Sequence, residues 1–169
     1  MIRSLELVLD ESTDAAVRAD WNALQAAGLP SLAAHAGESN RPHVTLVASD
    51  EAFAGIDLDV VLPLPLRLGG LVVFGAGRPR GMVLCRAVVP SAALLELHAH
   101  VVSAAGGAPR PTSLPGAWTP HVTLARRLDA AALAAAVDAL DGRELDGAAV
   151  GLRLWDAGTR TVTRIAGDV

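Results

Sequence analysis

The chain has 169 residues, 51% of them hydrophobic, and a formal net charge of −4. This composition is typical of a globular protein, and the negative charge argues against an extended nucleic-acid footprint, which usually needs a basic face. All 14 basic residues are arginine, so lysine Schiff bases, phosphate-loop lysines and lysine–nucleotide adducts are excluded.

Targeting and redox features are also limited. No apolar run approaches the roughly 20 residues needed to cross a bilayer, and the charged N-terminal segment does not resemble a signal peptide. We therefore expect a cytoplasmic protein. Cys85 is the single cysteine, which excludes an internal disulfide and a cysteine metal cluster, and we expect it to be a small buried residue.

Strand and helix patterns alternate in the first half of the chain. The predicted elements are a strand over 2–9, a helix, a polar loop over 31–41, a strand over 43–48 and an irregular stretch over 50–65. We expect Ser12 or Thr13 to cap the helix, and Gly28 with Pro30 to end it.

The second half continues this alternation. Strands are predicted over 67–74 and 81–89, joined by a turn over 75–80, and a helix follows over 91–105. A loop over 108–119 leads to a strand that begins at 121. A helix over 130–140 and a hairpin of strands over 149–156 and 160–166 complete the chain. No linker separates the halves. We therefore predict one α+β domain over 1–169 with two interleaved lobes.

The pentapeptide Pro-His-Val-Thr-Leu occurs twice, at 42–46 and at 120–124. Its histidines, at 43 and 121, are 78 residues apart, and the segments before them also align without a gap. The alignment places Leu5 on Val83, Leu7 on Cys85, Thr13 on Ser91, Val17 on Leu95, Leu24 on Val102 and Gly28 on Gly106. Two copies are too few for a solenoid, so the repeat predicts two pseudo-symmetric lobes.

Each copy of the pentapeptide carries a histidine and a threonine two residues apart. Because successive side chains of a strand point to opposite faces, His43 and Thr45 share one face, and so do His121 and Thr123. The apolar residues between them then face the core. Each lobe is therefore predicted to offer an imidazole and a hydroxyl side by side.

Two opposed imidazoles suit displacement at phosphorus. A neutral histidine can accept a proton from the attacking water, while a charged one donates a proton to the leaving oxygen. The threonine hydroxyls can bind the non-bridging oxygens. The alternatives are relics of a duplication and metal ligands, but two His and two Thr lack a third strong zinc ligand.

These residues resemble the two-histidine (2H) phosphoesterases, specifically the bacterial 2′-5′ RNA ligase-like branch. Residues 121–126, His-Val-Thr-Leu-Ala-Arg, are similar to that branch's H-x-T-L-A-R motif. The resemblance implies a bilobed fold, in which two antiparallel sheets with outer helices flank a central cleft. It also implies His43 as proton donor and His121 as proton acceptor. The sequence itself does not indicate which histidine takes which role.

The resemblance further implies opening of 2′,3′-cyclic phosphates to 2′-phosphates without metal, ATP or another cofactor, sometimes with reversible 2′-5′ joining. Relatives often place an aromatic residue after the first motif, where this chain has Val47-Ala48-Ser49. The substrate is therefore expected to be either an RNA 3′ end or a small cyclic nucleotide. We expect a monomer with no membrane partner.

Three further residues are candidates for substrate binding. The resemblance favours Arg126 as a phosphate contact, whereas strand alternation from His121 would put Arg127 on the same face. Arg41 could reach the cleft, or form an exposed salt bridge. Trp118 could stack on a base, or anchor its loop.

The remaining aromatic residues and histidines are predicted to be structural. We expect Trp21 and Trp155 in the core, and His98 and His100 on the surface of their helix, while His35 lies in the polar loop. The leading prediction is a cyclic phosphodiesterase. The alternatives are a non-catalytic nucleotide- or RNA-binding module, and a phosphodiesterase acting on a 2′-5′ linkage or a non-RNA cyclic phosphate.

Overall fold

The computed structural model describes residues 1–35, 37, 39–53, 56, 58–77 and 81–168. Its strands are β1 Arg3–Leu9, β2 His43–Ser49, β3 Leu64–Phe74, β4 Met82–Val88, β5 His121–Leu128, β6 Leu145–Asp156 and β7 Thr161–Gly167. Its helices are α1 Glu11–Ala26, α2 Ala92–Ala105 and α3 Ala130–Ala139. Among the residues so described, no helix combines the length and the apolar character needed to cross a membrane.

All seven strands belong to one antiparallel sheet, in the order β2-β1-β6-β3-β4-β5, with β7 also paired to β6. The predicted α+β class is confirmed, but the two predicted sheets are joined. The strand that joins them is β6: Leu145–Ala149 pairs with β3, whereas Ala149–Asp156 pairs with β1. The two halves therefore share one long strand.

The pairing of β6 also explains where the predicted boundaries were wrong. The sequence predicted strands from residues 67 and 149, but β3 begins at Leu64 and β6 at Leu145. Pro65 pairs with Ala148 inside this segment. Proline and the charged stretch before Gly147 are typical of loops. The local sequence therefore did not indicate the first residues of β3 and β6 as strand. Part of the predicted turn over 75–80 lies outside the described residues.

The first helix begins one turn earlier than predicted, because Asp10 is its N-cap. Its carboxylate accepts hydrogen bonds from the Thr13 N–H at 2.9 Å and the Ser12 hydroxyl at 2.6 Å. It also accepts one from the Ala148 N–H of β6 at 2.5 Å. Burial alone would raise the pKa of Asp10, but these hydrogen bonds outweigh it and lower the pKa to about 2. Asp10 thus joins α1 to the shared strand.

The apolar core lies between the helices and the sheet. Leu5, Leu7 and Leu9 of β1 pack with Trp21 and Leu24 of α1, and all five are almost fully buried. Burying side chains of this size stabilises the fold by about 1.5–3 kcal/mol each. The predicted core position of Trp21 is confirmed, whereas Trp155 is only half-buried.

A buried ion pair ties α1 to the second half of the chain. The guanidinium of Arg86, on β4, is fully buried. It donates to the carboxylate of Asp20 on α1 at 2.6 and 3.1 Å, and to the carbonyl of Arg143 at 2.5 Å. Breaking such a pair by removing one partner usually costs about 3–5 kcal/mol. The first helix is therefore fixed to β4 as well as to its own lobe.

The two strands that carry the repeated pentapeptide, β2 and β5, are at the ends of the strand order, yet they lie close together. Two indole groups connect them to the opposite halves. The Nε1–H of Trp21, on α1, donates to the Thr123 carbonyl of β5 at 3.0 Å. The Nε1–H of Trp118, before β5, donates to the Thr45 carbonyl of β2 at 2.9 Å. We call these two bonds the crossed indole bonds.

Replacing Trp21 by phenylalanine is expected to lower the free energy of unfolding by about 1–3 kcal/mol, because the Thr123 carbonyl loses its buried donor. The measurement is chemical denaturation at equilibrium. The matched control is Trp155→Phe, since that indole is half-buried and its N–H bonds to no residue that the structure describes. Equal losses in the two variants would contradict a specific role for the Trp21 bond.

Candidate active site

The predicted alternation along both pentapeptide strands is confirmed at the start of each strand. Val44, Leu46, Val122 and Leu124 are fully buried in the core cluster. The histidines and threonines that alternate with them point away from that core. We call the side of the sheet that carries His43, Thr45, His121 and Thr123 the motif face.

Both imidazoles are held in the same way. The Nδ1 of His43 lies 2.7 Å from the carbonyl oxygen of Arg41, and the Nδ1 of His121 lies 2.7 Å from that of Thr119. A carbonyl can only accept, so each Nδ1 carries a proton and donates it. This fixes the tautomer. Each Nε2 is left to accept or donate a proton on the motif face.

The two histidines are close enough to affect one another. Burial is the largest cause that lowers the pKa of His121 below its ordinary value, and the Thr119 hydrogen bond opposes it. The positive charges of His43 and Arg126 lower the pKa of His121 further. His121 is therefore set to be neutral near pH 7, which is the form that accepts a proton.

A buried carboxylate beside His43 was missed at the level of the sequence. Glu6 of β1 is only 3% exposed, and its Oε1 lies 3.6 Å from the Nε2 of His43. It also pairs with Arg153 of β6. The signal that could have found it is the alternation of the predicted first strand, which puts Glu6 on the face opposite Leu5 and Leu7.

The second half has an aromatic residue beside its histidine. The ring of Phe74, on β3, lies 4.8 Å from the imidazole of His121 between centroids, tilted by 52°. The chain has no aromatic residue directly after the first motif, and Phe74 was not predicted to belong to the site. The contact depends on pairing of β3 with β4 and of β4 with β5, which a single sequence does not specify.

Arg126 reaches the motif face because β5 contains a bulge. Thr123 pairs with Cys85 and Ala125 with Leu84, so two steps along β5 match one step along β4. The extra residue reverses the alternation, and Ala125 is buried while Arg126 is exposed. Burial is the largest cause that lowers the pKa of His121, and the charge of Arg126 adds to it. At Cys85 burial raises the pKa, and the charge of Arg126 opposes that rise.

Arg127 does not take the place that strict alternation predicted. Its φ of 64° lies in the left-handed region, which is uncommon for a residue with a side chain. Gly81, just before β4, approaches the Arg127 backbone closely, and an added Cβ there would lie 3.0 Å from it. The alternation that placed Arg127 on the motif face assumed a regular strand up to its end, and the bulge and this backbone conformation interrupt it.

Comparisons with known proteins identify the family to which this chain belongs. A sequence profile described as the 2′-5′ RNA ligase superfamily matches residues 9–166. The chain belongs to this superfamily. Membership supports a phosphoesterase activity. A comparison with curated protein sequences found no significant match.

Two solved structures have a similar fold. Kluyveromyces marxianus Usb1 is 16% identical, with a TM-score of 0.57 over 97% of each chain. The Thermus thermophilus protein TT0787 is 19% identical, with a TM-score of 0.57 over 98% of this chain and 96% of its own. At these identities the likeness shows the fold alone.

Within this superfamily fold, the Arg41 side chain points to α1. Its guanidinium lies 3.5 Å from the carboxylate of Asp14, beside a surface cavity of about 480 Å³ that Arg18 and Asp168 also line. The salt-bridging alternative fits this contact. The backbone carbonyl of Arg41, in contrast, serves the site directly by holding His43.

Trp118 has the contacts of a loop anchor. One face of its indole stacks on the imidazole of His98, with 3.9 Å between the ring centroids and 4° between the ring planes. Its Nε1–H donates to the Thr45 carbonyl. Stacking on a base stays a prediction, restricted to the opposite face of the ring. His98 itself is 2% exposed, so its predicted surface position was wrong; its Nε2–H donates to the Ser113 carbonyl.

The other predicted positions are as follows. His100 and His35 are exposed. Cys85 is buried, as predicted, and burial raises the pKa of its thiol to about 11. Among the residues that the structure describes, no three His, Cys, Asp or Glu side chains form a group that could hold a metal ion.

Replacing Arg126 by glutamine is expected to raise the pKa of His121, because a positive charge that disfavours the imidazolium is removed. The measurement is an NMR titration of the histidine side chains in the wild type and the variant. The matched control is Arg127→Gln, which removes an equal charge at the neighbouring position. An unchanged His121 titration in Arg126→Gln, or an equal change in both variants, would contradict the placement of Arg126.

Proposed function

We propose that this chain hydrolyses 2′,3′-cyclic phosphates of RNA ends or nucleotides to 2′-phosphates by acid–base catalysis between His43 and His121. The observation that carries the proposal is the pair of imidazoles that each have Nδ1 hydrogen-bonded to a backbone carbonyl. Among the described residues, neither Nε2 makes a hydrogen bond. Membership in the 2′-5′ RNA ligase superfamily supports it. The reaction needs no metal, ATP or other cofactor in this scheme.

The proposed reaction has balanced proton transfers. The oxygen of a water molecule attacks phosphorus, and the Nε2 of His121 takes the proton that this water loses. The bond from phosphorus to the 3′ oxygen breaks, and that oxygen takes a proton from the Nε2 of His43. The products are a 2′-phosphate and a free 3′-hydroxyl, and exchange with water restores both histidines.

Thr45, Thr123 and Arg126 are proposed to bind the phosphate. Charge accumulates on the non-bridging oxygens as water adds, and hydroxyl and guanidinium donors stabilise it. Where a 5′-hydroxyl takes the place of water as the attacking oxygen, the same two proton transfers would open the ring to a 2′-5′ linkage. In the reverse reaction the 3′-hydroxyl attacks, the 5′ oxygen leaves with a proton, and the cyclic phosphate forms again. Thr123 is 8% exposed, so its hydroxyl is held by its surroundings.

Alanine at His43 or at His121 is expected to lower kcat on cyclic phosphates by about 10²–10⁴, the usual contribution of one proton transfer. The assay uses 2′,3′-cyclic AMP and a short RNA ending in a cyclic phosphate, with EDTA present and the phosphate position of the products resolved. The matched control is His100→Ala on the exposed part of α2, which is expected to keep full activity.

The outcomes separate the alternatives. Turnover that either histidine variant retains in full would contradict the mechanism. Tight binding of cyclic nucleotide without turnover, by folded wild-type protein, would favour a binding module. Turnover of only a 2′-5′ linkage, or of only a non-RNA cyclic phosphate, would support an enzyme whose substrate differs from the one proposed. A comparison of kcat/KM on the two cyclic substrates shows whether the enzyme prefers nucleotides or RNA ends.

The pH dependence of kcat/KM is expected to be bell-shaped, with its acidic limb below about pH 6.5, the ordinary histidine value. The reason is that the pKa of His121 is lowered, so the neutral base persists to lower pH and activity falls only when the pH drops through that value. The measurement is kcat/KM between about pH 4.5 and about pH 9 at constant ionic strength. An acidic limb above the ordinary histidine value would contradict His121 as the base.

A further inference from the structure

The carboxylate of Glu6 is held in place by two neighbours. The Ser4 hydroxyl donates to Oε1 at 2.6 Å. The Arg153 guanidinium donates from Nε to Oε2 at 2.9 Å, and its Nη2 lies 2.9 Å from the same oxygen as part of the ion pair. Arg153 is 2% exposed and Glu6 is 3% exposed. Oε1, the oxygen that faces the Nε2 of His43 at 3.6 Å, therefore has a fixed position.

The second half carries a different residue at the equivalent position. Glu6 pairs with Thr45 across β1 and β2, and Cys85 pairs with Thr123 across β4 and β5. Glu6 and Cys85 therefore occupy matching places beside the two motifs. The thiol of Cys85 is buried, and its pKa is raised to about 11, so it stays neutral near pH 7. Within the part of the chain that the structure describes, a carboxylate lies within 4.0 Å of His43, and no such contact is found for His121.

The other charged groups around His43 do not cancel this difference. From β5, His121 and Arg126 face the site. From β6, Arg153 is bound to the far oxygen of Glu6. The guanidinium of Arg41, just before β2, is turned to Asp14 of α1. Among the described residues, Glu6 supplies the carboxylate oxygen that lies within 4.0 Å of the His43 Nε2, at 3.6 Å.

We propose that Glu6 is a positioning residue that makes His43 the proton donor of the pair, with Arg153 holding its carboxylate. This inference rests on the proposed function and deepens it. It explains why two histidines with the same backbone anchors take opposite roles: a carboxylate favours the protonated imidazole of His43, whereas the neutral thiol of Cys85 gives His121 no such support.

The distance of 3.6 Å between Glu6 Oε1 and His43 Nε2 is compatible with this role. It is longer than a normal hydrogen bond, so the carboxylate acts through its charge and does not occupy the Nε2 proton. That proton remains free to move to the leaving 3′ oxygen as the bond from phosphorus breaks. In low-dielectric surroundings such a charge acts more strongly than in water.

The test compares Glu6→Gln with wild type and with the matched variant Cys85→Ala at the equivalent place. In Glu6→Gln, the basic limb of the kcat/KM profile is expected to move to lower pH while the acidic limb stays. The maximum is expected to fall by about tenfold, a part of the 10²–10⁴ that a proton donor contributes. Cys85→Ala is expected to move neither limb.

An NMR titration of the histidines gives a readout that does not need activity. In wild type, His43 is expected to keep its charge to higher pH than His121. In Glu6→Gln, His43 is expected to lose its charge at lower pH than in wild type. Where Glu6→Gln does not fold because Arg153 is left unpaired, the double variant Glu6→Gln with Arg153→Gln removes both charges. Because Oε1 faces His43 whereas Arg153 binds the far oxygen, the change is expected in the same direction but smaller.

Two failures can be told apart. An active, folded Glu6→Gln protein whose basic limb does not move would overturn the role of Glu6 and leave the phosphodiesterase intact. Wild-type protein that turns over no cyclic phosphate would overturn the proposed function. In that case the titration still decides the inference, since His121 keeping its charge to higher pH than His43 would overturn it.

Discussion

The crossed indole bonds are the interaction on which the site depends. Strands β2 and β5 end the strand order, so each has an edge that no neighbouring strand of that order covers. Trp21 and Trp118 donate to carbonyls of those edges, each from the opposite half. The acceptors belong to Thr45 and Thr123, which are motif residues themselves. The same bonds that satisfy two edge carbonyls therefore hold the two histidine strands side by side.

The shared strand β6 supplies the second constraint. A duplicated chain with two separate sheets would behave as two lobes on a linker, and the distance between the histidines would vary with it. Here Leu145–Ala149 belongs to one half and Ala149–Asp156 to the other. Asp10 caps α1 and bonds to the Ala148 N–H of that strand. The lobes are thus continuous through backbone hydrogen bonds, which suits a reaction that needs two groups in fixed positions.

Much of the site could be predicted from the sequence, because the repeat and the period of two along a strand are local properties. They placed His43 with Thr45 on one face of their strand, and His121 with Thr123 on one face of theirs. The rest depended on contacts between distant segments. The bulge that brings Arg126 to the motif face arises from pairing with Leu84 and Cys85, and His98 is buried because Trp118 folds onto it. The gapless repeat alignment put Leu7 on Cys85, whereas strand pairing matches Glu6 with Cys85, one residue away.

That single residue matters for the chemistry. A duplication copies the backbone, and here it copies the Nδ1 bond that fixes each imidazole. Acid–base catalysis, however, requires that the two histidines differ in charge. Their own anchors are the same, so the difference comes from their surroundings. Burial and Arg126 act on His121, and the next strand inward, β1 in one half and β4 in the other, adds the contrast on which the proposal rests. There the chain keeps a buried ion pair, Glu6 with Arg153, opposite a neutral thiol. Buried ion pairs contribute little to stability compared with apolar residues of the same size. The proposed need for two histidines of different charge therefore offers a functional explanation for the pair of Glu6 and Arg153.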